Sequence, residues 1–385
     1  MTVIKRKYVR RYGVAMLLLF LLQGCTPSYS YKENAVPETV KLSERLQKLF
    51  SKTKLVCFGR YALEVPLEAQ LVMGPVWFPA GIEVIDGGLD ASKRRGAADV
   101  KKIKWENNAA EIIYSGKGPI ESSWQIRYYE GKYSTEYGSL NIKTYANKGE
   151  LTFIVEDMVS NDTNGKSDSE DATAARQAML VKNMRLRVPD EIPTEPGFCI
   201  SHGFIPEKLY DGQEMSSAGL YLPSLPDITF SIHSNKDAYG DYPPADFDKL
   251  RHELSMLTRI EEAKKDQGAS YPSRTLLREG KRDVQHWHGE ESLIKRNDGV
   301  HDFEWAFVGT PRDVANPSEF SVHMYTKVEH NTVGAAKTVS VSDGEAVALW
   351  DKLLSGLKFR VKVPGAPEGS YFTHAEKTSA QPPAR

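Results

Sequence analysis

Short stretches in which apolar and polar residues partly alternate recur along the chain, with Gly, Asn or Pro residues between them. They cover residues 124–129, 140–145 and 151–155 in the first half, and residues 303–308 and 320–325 in the second. Alternation with a period of two, carried by aromatic and β-branched side chains, is typical of strands that bury one face. The connections are too short for parallel crossovers, so the pattern predicts antiparallel sheets.

Helical spacing of apolar residues is restricted to a few segments. Residues 246–262 are predicted to form one amphipathic helix, and its apolar face consists of Phe247, Leu250, Leu254, Leu257 and Ile260. A second, shorter helix is predicted from the spacing of Val40, Leu42, Leu46 and Leu49. Helices packed on one side of antiparallel sheets give the α+β class.

The two halves of the chain resemble each other. Residues 55–66 open the first half and residues 197–206 open the second, each with a similar run of aromatic, aliphatic, Gly and Pro residues. Each half closes with a predicted helix that leads directly into a strand, and residues 175–187 align with residues 348–360 at one offset. This repeat predicts two similar lobes rather than one large domain.

The limits of the lobes follow from the repeat and from polar residues before each closing helix. The residues suited to cap these helices are Asp168, Ser169, Ser342 and Asp343. The N-terminal lobe is predicted over residues 45–190 and the C-terminal lobe over residues 191–363. The tail at residues 364–385 is rich in Pro, Gly, Ala, Ser and Thr and is predicted to be disordered.

The first 25 residues have the organisation of a bacterial export signal. Five Lys or Arg residues and no acidic residue precede an apolar run at residues 14–22, which is about half as long as a spanning helix. The ending at Gly24 and Cys25 resembles a lipobox. This resemblance implies that residues 1–24 are removed and that Cys25 carries a diacylglycerol. An ordinary cleaved signal followed by a chance cysteine is the alternative.

A lipid on Cys25 predicts where the protein resides. Two or three acyl chains, at about 0.8 kcal/mol for each buried CH₂, hold a protein on a bilayer almost permanently. Thr26 follows the cysteine where an Asp favours retention at the inner membrane. The expected location is therefore the periplasm, with the lipid in the outer membrane. Residues 25–44 are predicted to be a tether that lifts the lobes off the bilayer.

Removal of the signal changes the charge of the protein. The whole chain carries 50 basic and 51 acidic residues, and five of the basic ones leave with the signal, so the mature net charge is about −6. Nucleic acids bind clustered Lys and Arg residues, so a negative chain without a basic run is a poor nucleic-acid binder. We therefore expect no nucleic-acid partner.

Two cysteines remain besides Cys25. Cys57 and Cys199 lie far apart in the sequence, without a C-x-x-C motif or a His residue at ligand spacing. Two cysteines in an oxidising compartment usually pair, which predicts a disulfide between them. Two separately buried thiols are the alternative.

Motifs of the common enzyme classes are absent from the sequence, which has no G-x-S-x-G, H-E-x-x-H, P-loop or G-x-G-x-x-G. On a strand, His286 and His288 would share one face and could bind a metal with His301 or Glu304. The simpler interpretation is a strand that buries Trp287 and leaves both imidazoles in water. We favour this interpretation and predict no catalytic residue, metal or cofactor.

Two further segments allow more than one interpretation. Asp162, Asn164 and Asp171 fall at ligand positions of a loose calcium-loop pattern, but an acidic turn that caps the following helix explains the same residues. Trp77 lies in an aromatic stretch, residues 74–79, bounded by prolines. The stretch is either a core strand, which we favour, or an exposed anchor for a partner.

Several of these segments together resemble a known family. They are residues 57–66, 196–200, 203–205 and 345–354. The family is that of the periplasmic Tle cognate immunity proteins, which protect bacteria against phospholipase effectors of the type VI secretion system. The resemblance covers about residues 45–362 and implies two α+β lobes that grip a lipase effector like a claw.

The resemblance also implies a function that depends on a surface. It implies a cognate phospholipase effector as the protein partner and inhibition without catalysis. Separately, we expect the free protein to be a monomer. No partner-binding residue is assigned from it, because no short motif marks such residues. The alternatives are a scaffold lipoprotein of the envelope and a hydrolase that acts on lipid or peptidoglycan.

Overall fold

Antiparallel strands are the most common regular structure in the described part of the chain. The computed structural model describes residues 32–33, 40–159, 169–328, 338–373 and 376. The strands are β1 Lys32–Glu33, β2 Thr53–Phe58, β3 Tyr61–Pro66, β4 Gln70–Trp77, β5 Gly81–Asp86, β6 Glu111–Lys117, β7 Ser123–Tyr129, β8 Asn141–Lys148, β9 Leu151–Met158, β10 Arg185–Leu186, β11 Gly197–Ile200, β12 Gly203–Pro206, β13 Met215–Tyr221, β14 Thr229–Asn235, β15 Arg274–Val284, β16 Trp287–Arg296, β17 His301–Phe307, β18 Glu319–Tyr325 and β19 Leu357–Phe359.

Helices are fewer than strands. They are α1 Glu44–Leu49, α2 Leu89–Glu106, α3 Lys132–Tyr137, α4 Glu170–Asn183, α5 Phe247–Leu254, α6 Met256–Gln267 and α7 Asp343–Ser355. Ser169 caps α4 by accepting a hydrogen bond from Ala172 N, and Ser342 caps α7 in a capping box with Glu345. In the described part of the chain, no helix is long and apolar enough to span a membrane.

One sheet of thirteen strands runs through both halves of the chain. Its order is β1-β15-β16-β17-β18-β14-β13-β4-β5-β9-β8-β7-β6. Strand β4 of the N-terminal half pairs antiparallel with β13 of the C-terminal half, which joins the two lobes edge to edge. The α+β class and the two lobes are confirmed, and the structure adds that their sheets are continuous.

Helices lie on both faces of each lobe, which differs from the predicted arrangement on one side. In β8, Tyr145 packs toward α2, whereas the neighbouring Ala146 packs toward α4. In β16, Glu290 accepts a hydrogen bond from Leu257 N of α6, whereas Glu291 accepts one from the α7 indole. Consecutive strand residues point to opposite faces, so each lobe carries helices on both.

The opening hairpins are exchanged between the lobes. Phe58 and Tyr61 of the β2–β3 hairpin pack into the core of the C-terminal lobe, where the Tyr61 ring stands edge-on to Trp287 of β16. Phe198 of the β11–β12 hairpin packs instead into the core of the N-terminal lobe. The exchange follows from the short strand after each closing helix. Strand β19, after the C-terminal closing helix, pairs with β3 of the first hairpin, and β10, after the N-terminal closing helix, pairs with β12 of the second hairpin. Packing therefore crosses the boundary predicted at residue 190.

Two aligned arginines occupy equivalent places in this arrangement. Arg187 follows β10 and donates hydrogen bonds to backbone carbonyl oxygens of Gly203 and Ile200. Arg360 follows β19 and donates to those of Pro193 and Gly197. Both guanidinium groups are buried, and each provides hydrogen-bond donors to carbonyls that would otherwise be buried without a partner.

Two further sequence predictions require correction. The single helix predicted over residues 246–262 is two helices, because Ser255 has an extended backbone and its hydroxyl donates to Glu290. The predicted tether ends before residue 40, since Val40 and Leu42 pack against the core. Cys25 lies outside the described residues. So does the tether before residue 40, except for the two residues of β1.

The predicted disordered tail is ordered over its first ten residues. Phe359 N donates to Ser370 O, and Phe372 N donates to Phe359 O. Ala366 and Phe372 are buried. Phe372 is buried and Tyr371 packs partly buried against the core, and these contacts hold the stretch on the lobe together with the backbone hydrogen bonds. Fully burying one such ring contributes roughly 1.5–3 kcal/mol.

Candidate partner-binding face

The histidines of the possible metal site do not lie close together. His286 lies in the turn between β15 and β16 and contacts the carbonyl oxygen of Ala315, while His288 is exposed beside Asp283. His301 is buried on another strand, beside Asp343. Within the described ranges, no group of three or more His, Cys, Asp or Glu side chains could hold a metal ion.

Of the three residues in the calcium-loop pattern, only Asp171 lies among the described residues. Asp162 and Asn164 lie outside the described residues. Asp171 lies in the first turn of α4, where a negative charge is favourable near the positive end of the helix dipole. Asp171 therefore fills the structural role, that of an acidic residue in the first turn of the helix.

The two exchanged hairpins meet at a disulfide. Cys57 and Cys199 are bonded, and the backbones of Gly59 and Cys199 exchange two hydrogen bonds of 2.8 Å. Gly59 has a φ of +52°, and a Cβ atom there would lie 2.5 Å from Ser216 Oγ. The position therefore requires glycine, and the junction is covalent as well as hydrogen-bonded.

A buried ion cluster lies beside the disulfide. Arg60 donates from Nη2 to Glu214 Oε1 at 2.6 Å and from Nε to Glu214 Oε2 at 3.0 Å. It also donates to Glu207, and Lys236 Nζ lies 3.6 Å from Glu214. The Arg60 guanidinium stands 4.3 Å from the Tyr210 ring centroid. Burial by itself lowers the pKa of Arg60, but the two carboxylates outweigh it and raise that pKa.

The ion cluster joins segments from both halves of the sequence. Arg60 belongs to the first hairpin, whereas Glu207, Glu214 and Lys236 follow the second. Together with the disulfide, it holds the two lobes in one relative position. A fixed arrangement of lobes reduces the ordering cost of binding a partner.

One face of the central sheet is half-exposed. Along β13, β14 and β18, buried residues alternate strictly with partly exposed ones. We call the side formed by these partly exposed residues the open face. It continues onto the side of β4 that carries Val72, which pairs with Gly219 of β13. Its members include Val72, Met215, Ser217, Tyr221, Ser231, His233, Ser321, His323 and Tyr325.

Helices border the open face at both ends. At one end, Arg259 of α6 lies 4.0 Å from Glu304, and Glu304 pairs with His323 of the open face. At the other end, Arg95 of α2 forms an ion pair with Glu83 of β5. The pairing register carries this side of β5 through β4 to β13, so α2, α6 and the open face lie on the same side of the sheet.

The composition of the open face suits protein recognition. Tyr221, Tyr325 and Met215 are partly exposed, and Val72 keeps 50% of its surface in water. Tyr, Trp and Met are enriched in protein interfaces, and small hydroxyl residues between them leave room for a partner. The surface therefore offers apolar contacts and hydrogen-bonding groups on a rigid sheet.

A groove opens in the sheet where the lobes meet. Strands β4 and β5 pair only at Val76 with Ile82 and at Trp77 with Gly81, and they separate beyond this point. The groove has a volume of about 670 Å³ and includes Met73, Trp77 and Met215 in its lining. Val76 and Phe78 are core residues, which confirms the favoured interpretation for them. Trp77 is partly exposed, and its role as an anchor for a partner stays a prediction.

A row of polar side chains crosses the open face without forming a catalytic relay. Ser217 Oγ lies 2.9 Å from His233 Nδ1, a hydrogen-bonding distance. Glu319 lies 3.9 Å from His233 Nε2, which exceeds the range of a hydrogen bond. A serine nucleophile needs a base that a third group orients, and this row lacks the third contact.

These features define a class of protein: a two-lobed α+β chain with disulfide-linked hairpins and an open sheet face suited to a macromolecular partner. Residues 54–187 match the N-terminal domain of Tle cognate immunity protein 4, and residues 191–362 match its C-terminal domain. The chain belongs to the Tle cognate immunity protein family, as its sequence motifs predicted. No curated protein sequence matches it significantly.

Solved structures of immunity proteins share the fold. The Tle4–Tli4 complex matches with a TM-score of 0.60 and 22% identity, over 80% of this chain and 98% of the other. The apo immunity protein TplEi of the type VI secretion system from Pseudomonas aeruginosa matches with a TM-score of 0.58 and 22% identity, over 80% and 97%. The same protein bound to an "L" peptide gives 0.57 and 22%, over 80% and 99%.

Proposed function

We propose that this protein is a periplasmic immunity protein that binds a type VI phospholipase effector and blocks its action. Membership of the family is the observation that carries the proposal. One solved relative of the same fold is in a complex with Tle4. An inhibitor of this kind acts through a surface, so the function is non-enzymatic.

The effector would occupy the open face between α2 and α6. Four strands about 4.8 Å apart, with seven or eight residues of about 3.3 Å each, give a floor of roughly 450 Å². A stable interface buries about 800 Å² on each partner. The strands of the open face alone are too small for a stable interface of this size. The bordering helices must therefore contribute contacts, and a claw-like grip would arise in this way.

The proposal predicts protection and a complex that depend on the open face. We expect co-expression with the cognate phospholipase effector to abolish the periplasmic toxicity of the effector, and the two proteins to co-elute in gel filtration. Ser231→Arg places a long charged side chain in the middle of the open face, between Gly219 and His323. We expect at least about 100-fold weaker binding, because a bulky charge at an interface centre excludes the partner.

Ser115→Arg is the matched control, since Ser115 is an exposed strand residue at the outer edge of the sheet. It should bind and protect like the wild type. Undiminished toxicity with the wild type, and no complex, would contradict immunity and leave the scaffold alternative. Phospholipid hydrolysis by the purified protein alone would favour the hydrolase alternative.

The lipid on Cys25 would station the inhibitor on the membrane that a phospholipase attacks, which raises its local concentration there. We expect labelled palmitate to be incorporated into the wild type and not into Cys25→Ser. Fractionation on a sucrose gradient should place the wild type with the outer membrane. Labelling of Cys25→Ser at the wild-type level would refute the anchor.

A further inference from the structure

Helix α2 exposes a cluster of basic side chains. Its inner side buries Ser92, Gly96 and Asp99 against the sheet. Its exposed basic residues are Lys93, Arg94, Lys101, Lys102 and Lys104. The exposed acidic residues of the helix, Asp90 and Glu106, lie at its two ends. The mature chain has a negative net charge, so a helix whose exposed side is mainly positive differs from the rest of the protein.

Large aromatic rings are exposed next to this helix. Trp105, in its last turn, keeps 90% of its surface in water. On α3, Tyr133 and Tyr137 keep 71% and 55%, with ring centroids 4.3 Å apart. The two helices are neighbours, because the Asn107 side chain donates to the carbonyl oxygen of Glu130. An exposed Trp leaves a large apolar surface in water, so its transfer to a less polar environment is favourable.

We propose that this surface, the basic side of α2 with Trp105 and the α3 tyrosines, docks on the anionic headgroups of a phospholipid bilayer. Trp and Tyr are the residues enriched at membrane–water interfaces, and basic residues near them are attracted to anionic lipid. Each such residue contributes about 1 kcal/mol near the membrane surface. Four of the five basic residues are lysines, which protein interfaces disfavour relative to arginine.

Docking would orient the N-terminal lobe. An acyl anchor at the end of a tether restricts distance from the bilayer but leaves rotation free. A second contact through α2 fixes one lobe against the headgroups. The surface lies over β7 to β9 toward the outer end of the sheet, several strands away from the centre of the open face. This proposal does not depend on effector binding or on the lipid at Cys25.

Vesicle co-sedimentation tests the proposal with residues 26–385, which lack Cys25 and therefore its lipid. We expect binding to vesicles of phosphatidylglycerol and phosphatidylethanolamine, weaker binding as salt is raised, and little binding to phosphatidylcholine vesicles. Lys101→Gln with Lys104→Gln should weaken binding roughly 30-fold, since two residues of about 1 kcal/mol each are lost. Trp105→Ala should weaken it about tenfold and keep the salt dependence.

Lys265→Gln with Lys362→Gln is the control, because it removes two exposed lysines from other parts of the surface. It should bind vesicles like the wild type. Equal binding of the wild type to anionic and phosphatidylcholine vesicles overturns the proposal. So does an unchanged vesicle affinity in the α2 variants, or a loss of effector binding alone, which would assign the surface to the protein partner.

Discussion

Removal of the disulfide by Cys57→Ala with Cys199→Ala is expected to lower the free energy of unfolding by about 5 kcal/mol. The bond closes a loop with a sequence separation of 142. Cross-linking a loop of this length restricts the unfolded chain and is worth about 5 kcal/mol in the chain-entropy estimate. Urea unfolding of the mature polypeptide at neutral pH measures the difference.

The wild type treated with reductant provides the control for this variant. It should lose a similar free energy, whereas reductant should not affect the alanine variant. Equal urea midpoints for the oxidised wild type and the variant would show that the bond contributes nothing to stability. Because the bond joins the exchanged hairpins, we also expect the variant to bind the effector more weakly.

Arg60→Met is expected to destabilise the protein by about 3–5 kcal/mol, the usual cost of breaking a buried ion pair. The substitution keeps the apolar length of the side chain but removes the positive charge between Glu207 and Glu214. Glu214 is buried and would retain only Lys236 as a cationic neighbour within 4 Å among the described residues. Thermal and urea unfolding should both report the loss.

Arg45→Met is the matched control for this prediction. Arg45 also pairs with a glutamate, Glu345 at 3.1 Å, but 48% of its side chain is exposed. An exposed pair contributes about 1 kcal/mol or less, so this variant should stay close to the wild type. Glu214→Gln combined with Arg60→Met should recover part of the stability. Equal losses in the two arginine variants would contradict a special role for the buried cluster.

The pH dependence of the Arg60 effect follows from Glu207. Burial by itself raises the pKa of Glu207, but hydrogen bonds and charge from Arg60 outweigh burial and hold that pKa below its usual range. A lowered folded-state pKa stabilises the protein above the unfolded value of about 4.3, and this stabilisation is lost as the pH falls through the folded-state pKa. The difference between wild type and Arg60→Met should therefore narrow below about pH 4.

Local sequence determined the elements of this protein where the pattern was strong. The alternating stretches became β7, β8, β9, β17 and β18. Ser169 and Ser342 cap the closing helices as predicted, because capping depends on residues within one turn. The family motifs also identified the class, since they combine positions across the whole mature chain. Helix α2 escaped prediction, because its apolar side is small, with Ser92 and Gly96 in contact with the sheet.

Tertiary structure alone decided how the elements are combined. The exchange of hairpins, the meeting of Arg60 with Glu214, and the open face all depend on strands paired over more than a hundred residues. Sequence periodicity records which face of a strand is buried, but not which distant strand lies beside it. The sequence determined two similar lobes and a family. The junction between the lobes, and the surface it leaves open for a partner, arose only from long-range pairing.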